Sequence, residues 1–223
     1  MACLWAISKW ACHTVFSVLR HLVTGAQNKS EMPIIGPPAS RVFPSELLPD
    51  EAHVVQFYTD DSVLLDGLAS SFGKALRAGE SVVVVMTKSH EKGLRKRLTA
   101  QGINLKETAE QGRFIAMDAG KALDLFMEHG SPNRQKFLRE FGNIIRAAEN
   151  AADVKNRRVV VFGEMVAVLW KQKQLEAAIR LEQLWNELAK TRFFFLHCAY
   201  PAKGMQGEPY HTICAEHAVV LPA

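Results

Sequence analysis

The chain has 223 residues, 48% hydrophobic and 22% charged, a globular composition that excludes a disordered or fibrous class. Its formal charge of +4 comes from 27 basic and 23 acidic residues scattered along the chain, so there is no basic block to mark a nucleic-acid surface. The four cysteines, Cys3, Cys12, Cys198 and Cys214, form two distant pairs without a CxxC, which fits a reducing compartment and a cytoplasmic protein.

In chain order, the apolar stretch over 2–23 is interrupted by Lys9, His13, Arg20 and His21 and has no basic leader, so it reads as neither a secretory signal nor a membrane span. On a helical wheel Lys9, His13, Ser17 and Arg20 share one side, with Leu4, Ile7, Ala11, Val15, Val18 and Leu22 on the other. The expectation is an amphipathic helix that docks on a partner or on the domain, with membrane contact by residues 1–25 the weaker option and Met32 an alternative start. Residues 25–50 carry Pro33, Pro37, Pro38, Pro44 and Pro49 and read as a linker. The chain thus divides into an N-terminal segment, 1–50, and a domain, 51–223.

From His53 onward short β-branched runs alternate with helical stretches, which predicts a three-layer α/β/α domain around a mostly parallel sheet. Strands are expected over 53–58, 81–87, 113–118, 158–162 and 193–200. The runs Val82-Val83-Val84-Val85 and Val159-Val160-Val161-Phe162 are apolar at every position, as strands covered on both faces must be. Helices are expected over 62–78, 89–101, 121–128, 133–151 and 164–190, with a last one over 210–217. Asp60 and Asp61, Ser89 and Asp118 stand directly after strands as helix caps, so the carboxyl ends of the strands share the edge where open α/β sheets bind ligands.

A nucleotide hydrolase of this layout would carry GxxxxGK[ST] after its first strand. The corresponding stretch, Phe57-Tyr58-Thr59-Asp60-Asp61-Ser62, has neither glycine nor lysine and places two carboxylates where a polyphosphate would sit. Phosphate-loop catalysis is therefore not expected, although capping alone would also explain both aspartates. Val159-Val160-Val161-Phe162-Gly163-Glu164 is an apolar strand ending in an acid, the shape of the strand that positions metal or water in hydrolases. Glu164 is thus a candidate polar group, or simply a helix-start carboxylate favoured by the helix dipole. Trp170 and Trp185 lie in a stripe that reads first as core and second as a pocket wall.

Near the carboxyl end His197, Cys198, His211, Cys214 and His217 raise a metal hypothesis. His211, Cys214 and His217 are spaced three apart on one helical face, but such a stripe more often packs against the sheet. His197 and Cys198, neighbours in a strand, must point to opposite faces. Neither a metal nor a cofactor is expected.

Several segments in the same order carry a family resemblance: His53-Val54-Val55-Gln56-Phe57-Tyr58-Thr59-Asp60-Asp61, Phe162-Gly163-Glu164-Met165-Val166, Arg180-Leu181-Glu182-Gln183-Leu184-Trp185-Asn186, Cys198-Ala199-Tyr200-Pro201 and Ile213-Cys214-Ala215-Glu216-His217. Over roughly 53–222 the chain resembles the MEDS family, the sensory domain of methanogens, methylotrophs and the dichloromethane-responsive regulator DcmR. The resemblance implies a fold like that of KaiC and RecA-type ATPases with the nucleotide loop lost. It also implies a role in sensing small molecules, often beside histidine kinases or DNA-binding domains. The motif region reaches Pro222, and the segment before Pro49 holds no helix-turn-helix, so the signal is expected to pass to a separate kinase or regulator.

The leading expectation is a non-catalytic small-molecule sensor. Its polar mouth would be Tyr58, Asp60, Asp61, Asp118 and Glu164, with Trp170, Trp185, Cys198, Tyr200 and His217 as walls or supporting groups. The alternatives are a divergent nucleotide-binding protein or ATPase that uses Glu164 to orient water, and a structural protein that assembles into homo-oligomers.

Overall fold

The computed structural model describes residues 52–155 and 157–221; the amphipathic segment and linker expected over 1–50 lie outside the described residues. In chain order the elements are β1 (His53–Tyr58), α1 (Asp61–Arg77), β2 (Ser81–Met86), α2 (Lys88–Ala100), α3 (Leu105–Glu110), β3 (Phe114–Asp118) and α4 (Ala119–Asp124). They continue with β4 (Met127–Glu128), β5 (Ser131–Pro132), α5 (Arg134–Ala151), β6 (Val159–Gly163), α6 (Met165–Lys171), α7 (Leu175–Ala189), β7 (Phe195–Pro201), α8 (Glu208–Ala215) and β8 (Val219–Leu221).

Six strands form one sheet of order β3-β2-β6-β7-β1-β8, with every pairing parallel. Parallel strands need crossover helices, and those helices cover both faces, so the central strands have no polar side to show. Every residue of β2 and of β6 is accordingly buried. Alternate side chains feed two cores. Val82, Val84 and Phe162 join Leu64, Leu68 and Phe72 of α1 and Leu94 and Leu98 of α2 on one face. Val83, Val85 and Val161 join Phe137, Phe141, Leu181 and Trp185 on the other. The result is the three-layer α/β/α arrangement expected from the sequence.

Four local features depart from the sequence reading. The helix expected over 164–190 is two helices, because Lys171, Gln172, Lys173 and Gln174 are all exposed and offer no apolar side chain to hold a continuous helix against the sheet. The break is closed by N–H donation from Lys173 to the Trp170 carbonyl and from Gln174 to that of Leu169. Lys173, at φ 61, occupies the left-handed position where such caps usually place glycine. The helix expected over 121–128 stops at Asp124 and gives way to the two-residue pairing of β4 with β5. Its turn holds His129 at φ 50 and Gly130 at φ 80, the positive dihedrals that tight hairpins select. Ser89 does not cap α2: Thr87 stands at that position, without a side-chain capping bond. Finally, α3 and β8 were not anticipated, since elements this short carry too few positions to show a period.

A lysine held at positive φ carries about 1 kcal/mol of backbone strain that glycine does not. Lys173→Gly is expected to leave the fold intact and to raise unfolding stability by roughly 0.5–1 kcal/mol, measured by urea denaturation.

Candidate functional site

Because the sheet is parallel, β1, β2, β6 and β7 all end at one edge. The helices that follow β1 and β2 pack on one face, and α6 and α8, which follow β6 and β7, pack on the other. Neighbouring chains therefore leave the edge in opposite directions, and a crevice opens between them. It encloses about 930 Å³ and is lined by residues that follow all four strands, including Tyr58, Asp61, His90, Glu164, Trp170 and Lys203.

Glu164 sits at its floor, 2% exposed, where the carboxylate of a helix-start residue has been drawn under the neighbouring strand end. It accepts the Thr87 backbone N–H at 2.7 Å and the Thr87 hydroxyl at 3.3 Å, and its other oxygen accepts a short bond from His90 Nδ1. His90 Nε2 lies 3.3 Å from Asp61 Oδ2. With an acceptor at each nitrogen both must carry hydrogen, so the ring is an imidazolium. The bond to Glu164, reinforced by Asp61, outweighs burial and raises the His90 pKa from 6.5 to about 9. Tyr58 stands beside this ring, with centroids 6.2 Å apart. Burial, followed by the charges of Glu164 and Asp61, pushes its phenol above the ordinary range and keeps it neutral. Opposite lie the half-buried Trp170 and the exposed Lys171, Lys173 and Lys203.

Of the ten residues singled out from the sequence, Tyr58, Asp61, Glu164 and Trp170 line this crevice. Asp60 does not line it and is the N-cap of α1, its carboxylate taking the Ser62 and Val63 N–H groups at 2.7 and 3.0 Å. Asp118 caps α4 through the Lys121 N–H at 3.0 Å, at the tip of the outermost strand. Trp185 is core, edge-on to Phe137 and Phe141 with centroids 4.9 Å away in each case. His90 was missed; its one signal was a histidine in the first turn after a buried strand.

Cys198, Tyr200 and His217 gather elsewhere, inside the domain around Glu182, which is fully buried. Tyr200 donates its hydroxyl hydrogen to Glu182 Oε1 at 2.7 Å, and the Cys198 thiol lies 3.4 Å from Oε2. His53 Nε2 is 3.3 Å from Oε2 and His217 Nε2 is 3.5 Å from Oε1. Burial alone would raise the Glu182 pKa, but the imidazoles of His217 and His53 hold it well below the usual carboxylate range. Burial and Glu182 push the Cys198 and Tyr200 values up. The sequence reading overlooked Glu182, although Ala178, Leu181, Glu182 and Trp185 fall on one helical face. His197 does point to the opposite face, edge-on to Phe162 at 5.2 Å, where burial lowers its pKa to about 3. His211 is exposed and Cys214 half-buried.

A second cavity, about 390 Å³, runs between α5 and α7. It shares no lining residue with the crevice, and its Arg134 and Arg192 are paired with Glu187 and Glu149.

The parallel sheet with a crevice at its carboxyl edge defines an α/β fold of the KaiC type. A KaiC-like protein from the hyperthermophilic archaeon Pyrococcus horikoshii is similar to it, with a TM-score of 0.52 over 78% of this chain and 74% of that one at 17% identity. Residues 52–218 match the MEthanogen/methylotroph, DcmR Sensory domain, and the chain belongs to this MEDS family. No curated protein sequence matches it. Among the described residues no helix is long and apolar enough to cross a membrane.

The His90 contribution has a definite pH signature. Its folded-state value lies above that of a free imidazole, so the stabilisation is fully present below about pH 6.5 and is lost as pH rises through about 9. His90→Ala strands the Glu164 charge and is expected to cost about 3 kcal/mol at pH 6. In urea titrations the gap between wild type and variant should shrink steadily toward pH 9.5.

Proposed function

We propose that this chain is a sensory module in which a small organic molecule enters the crevice at the carboxyl edge and alters a conformational balance read by a separate kinase or regulator. No phosphoryl transfer is involved. The observation that carries the reading is the capping of α1 by Asp60. The amides at a helix start that would grip a phosphate are occupied by the chain's own carboxylate, and Asp61 and Glu164 add negative charge beside them.

What remains is a volume suited to a small ligand, with Tyr58 and Trp170 as aromatic walls and the His90 imidazolium as a directed polar group. A ligand that replaces the Asp61–His90 contact would act on the first turns of α1 and α2 together, which supplies the differential contact a switch requires. Sensory membership of the MEDS family supports the same conclusion.

A thermal-shift screen of short-chain organic acids, alcohols and halogenated hydrocarbons on the full chain, alongside ATP with magnesium, tests it. Stabilisation by one organic class, weakened about tenfold by Trp170→Ala, which corresponds to about 1.4 kcal/mol, and no response to ATP are the expected results. Protection by ATP with magnesium, together with hydrolysis abolished by Glu164→Gln, would establish the nucleotide reading instead.

A further inference from the structure

The cluster around Glu182 lies apart from the crevice and takes no part in the proposed sensing. His53, Glu182, Cys198 and His217 each present one donor atom, and all four donors lie within 4.8 Å of one another. A tetrahedral zinc ion with bonds of about 2.0–2.3 Å separates its donors by roughly 3.3–3.8 Å. Around Glu182 Oε2, His53 Nε2 stands at 3.3 Å and Cys198 Sγ at 3.4 Å, with 3.5 Å between those two donors; His217 Nε2 is 3.5 Å from Oε1 and within 4.8 Å of the other donors.

The histidine tautomers are dictated by what stands behind each ring. Asn186 Nδ2 donates to the Glu216 carbonyl at 2.8 Å and to its carboxylate at 3.1 Å. Its Oδ1 therefore faces His53 Nδ1, at 2.8 Å, and can only accept. His217 Nδ1 lies 2.6 Å from the Ile213 carbonyl, again an acceptor only. Both rings must carry hydrogen on Nδ1, which turns both Nε2 atoms toward the carboxylate and the sulfur. Neutral rings so placed would aim lone pairs at an anion in a dry interior; either a proton on Nε2 or a metal ion at the centre relieves this, and a metal ion alone satisfies the two rings, the carboxylate and the sulfur together. Metal-binding histidines are oriented in this way, by a carbonyl or carboxylate accepting from the far nitrogen. Tyr200 does the corresponding work on Glu182, anchoring Oε1 at 2.7 Å.

We infer that His53, Glu182, Cys198 and His217 form a closed structural zinc site that joins the start of β1, the middle of α7, β7 and the turn after α8. Charge balance favours it: a thiolate and a carboxylate neutralise a divalent ion, so the whole unit is buried without net charge. On binding, the Cys198 S–H bond breaks, its proton leaves to solvent and the sulfur's electron pair binds the metal. Two imidazole nitrogens, one sulfur and one oxygen form a donor set that zinc accepts.

The test uses the full chain carrying Cys3→Ser, Cys12→Ser and Cys214→Ser, which leaves Cys198 as the sole thiol. Metal analysis after zinc loading and gel filtration is expected to show one equivalent. Cobalt in its place should give the intense visible bands of a tetrahedral site and a thiolate charge-transfer band in the near ultraviolet. Asn186→Ala, which removes only the acceptor behind His53, should weaken zinc binding about tenfold. Less than a tenth of an equivalent of zinc, or cobalt spectra without the sulfur band, would overturn the assignment and leave a hydrogen-bonded cluster held by protons alone. Neither result depends on what binds in the crevice.

Discussion

The arrangement at the sheet edge depends on one buried carboxylate. Glu164 directly follows β6 at a point where its side chain is shut off from bulk water. Its charge is tolerated because Thr87, between β2 and α2, supplies its N–H and α2 supplies the His90 imidazolium. Those bonds tie the two adjacent strand ends together and set the start of α2 over the crevice. Asp61, the first residue of α1, closes the chain from the other side of the histidine, so three segments distant in sequence meet through a single ring.

Electrostatics decides between the two uses of such an edge. A helix start with free amides attracts phosphate, whereas one already capped by a carboxylate has spent its positive end. The turn after β1 belongs to the second kind, and Glu164 lies nearby with its charge matched by His90. The fold is shared in outline with a KaiC-like protein, and the proposed sensory role rests on the side chains placed at the edge and not on the layers behind it.

The interior cluster follows the opposite logic. At the edge the charges are partly open to solvent and one imidazolium is enough; around Glu182 every donor is buried, and an uncompensated charge would cost several kcal/mol. The aromatic packing makes the distinction between the sites physical as well as electrostatic. Tyr200 binds Glu182 by its hydroxyl and meets Trp170, a wall of the crevice, with ring centroids 6.2 Å apart. The two regions are therefore neighbours through one tyrosine without sharing a polar group.

The sequence alone determined the layers and the orientation of the sheet. Runs such as Val82 to Val85 and Val159 to Phe162 are apolar without alternation, and burial on both faces is the arrangement of short strands that satisfies them. It also determined that the turn after β1 is acidic and that Tyr58, Asp61 and Glu164 belong at one edge, because strand ends in a parallel sheet share a side; it did not separate Trp170, which lines the crevice, from Trp185, which is core. The break at Lys173 and the β4–β5 hairpin escaped it, since each depends on a few dihedral angles rather than on a period. Only the tertiary structure decided which polar residues meet. His90 and Glu164 are 74 positions apart, and His53 and Cys198 are 145 apart. Periodicity reports which face a residue occupies on its own element, while the partner across the gap is set by strand order, which is a property of the whole sheet.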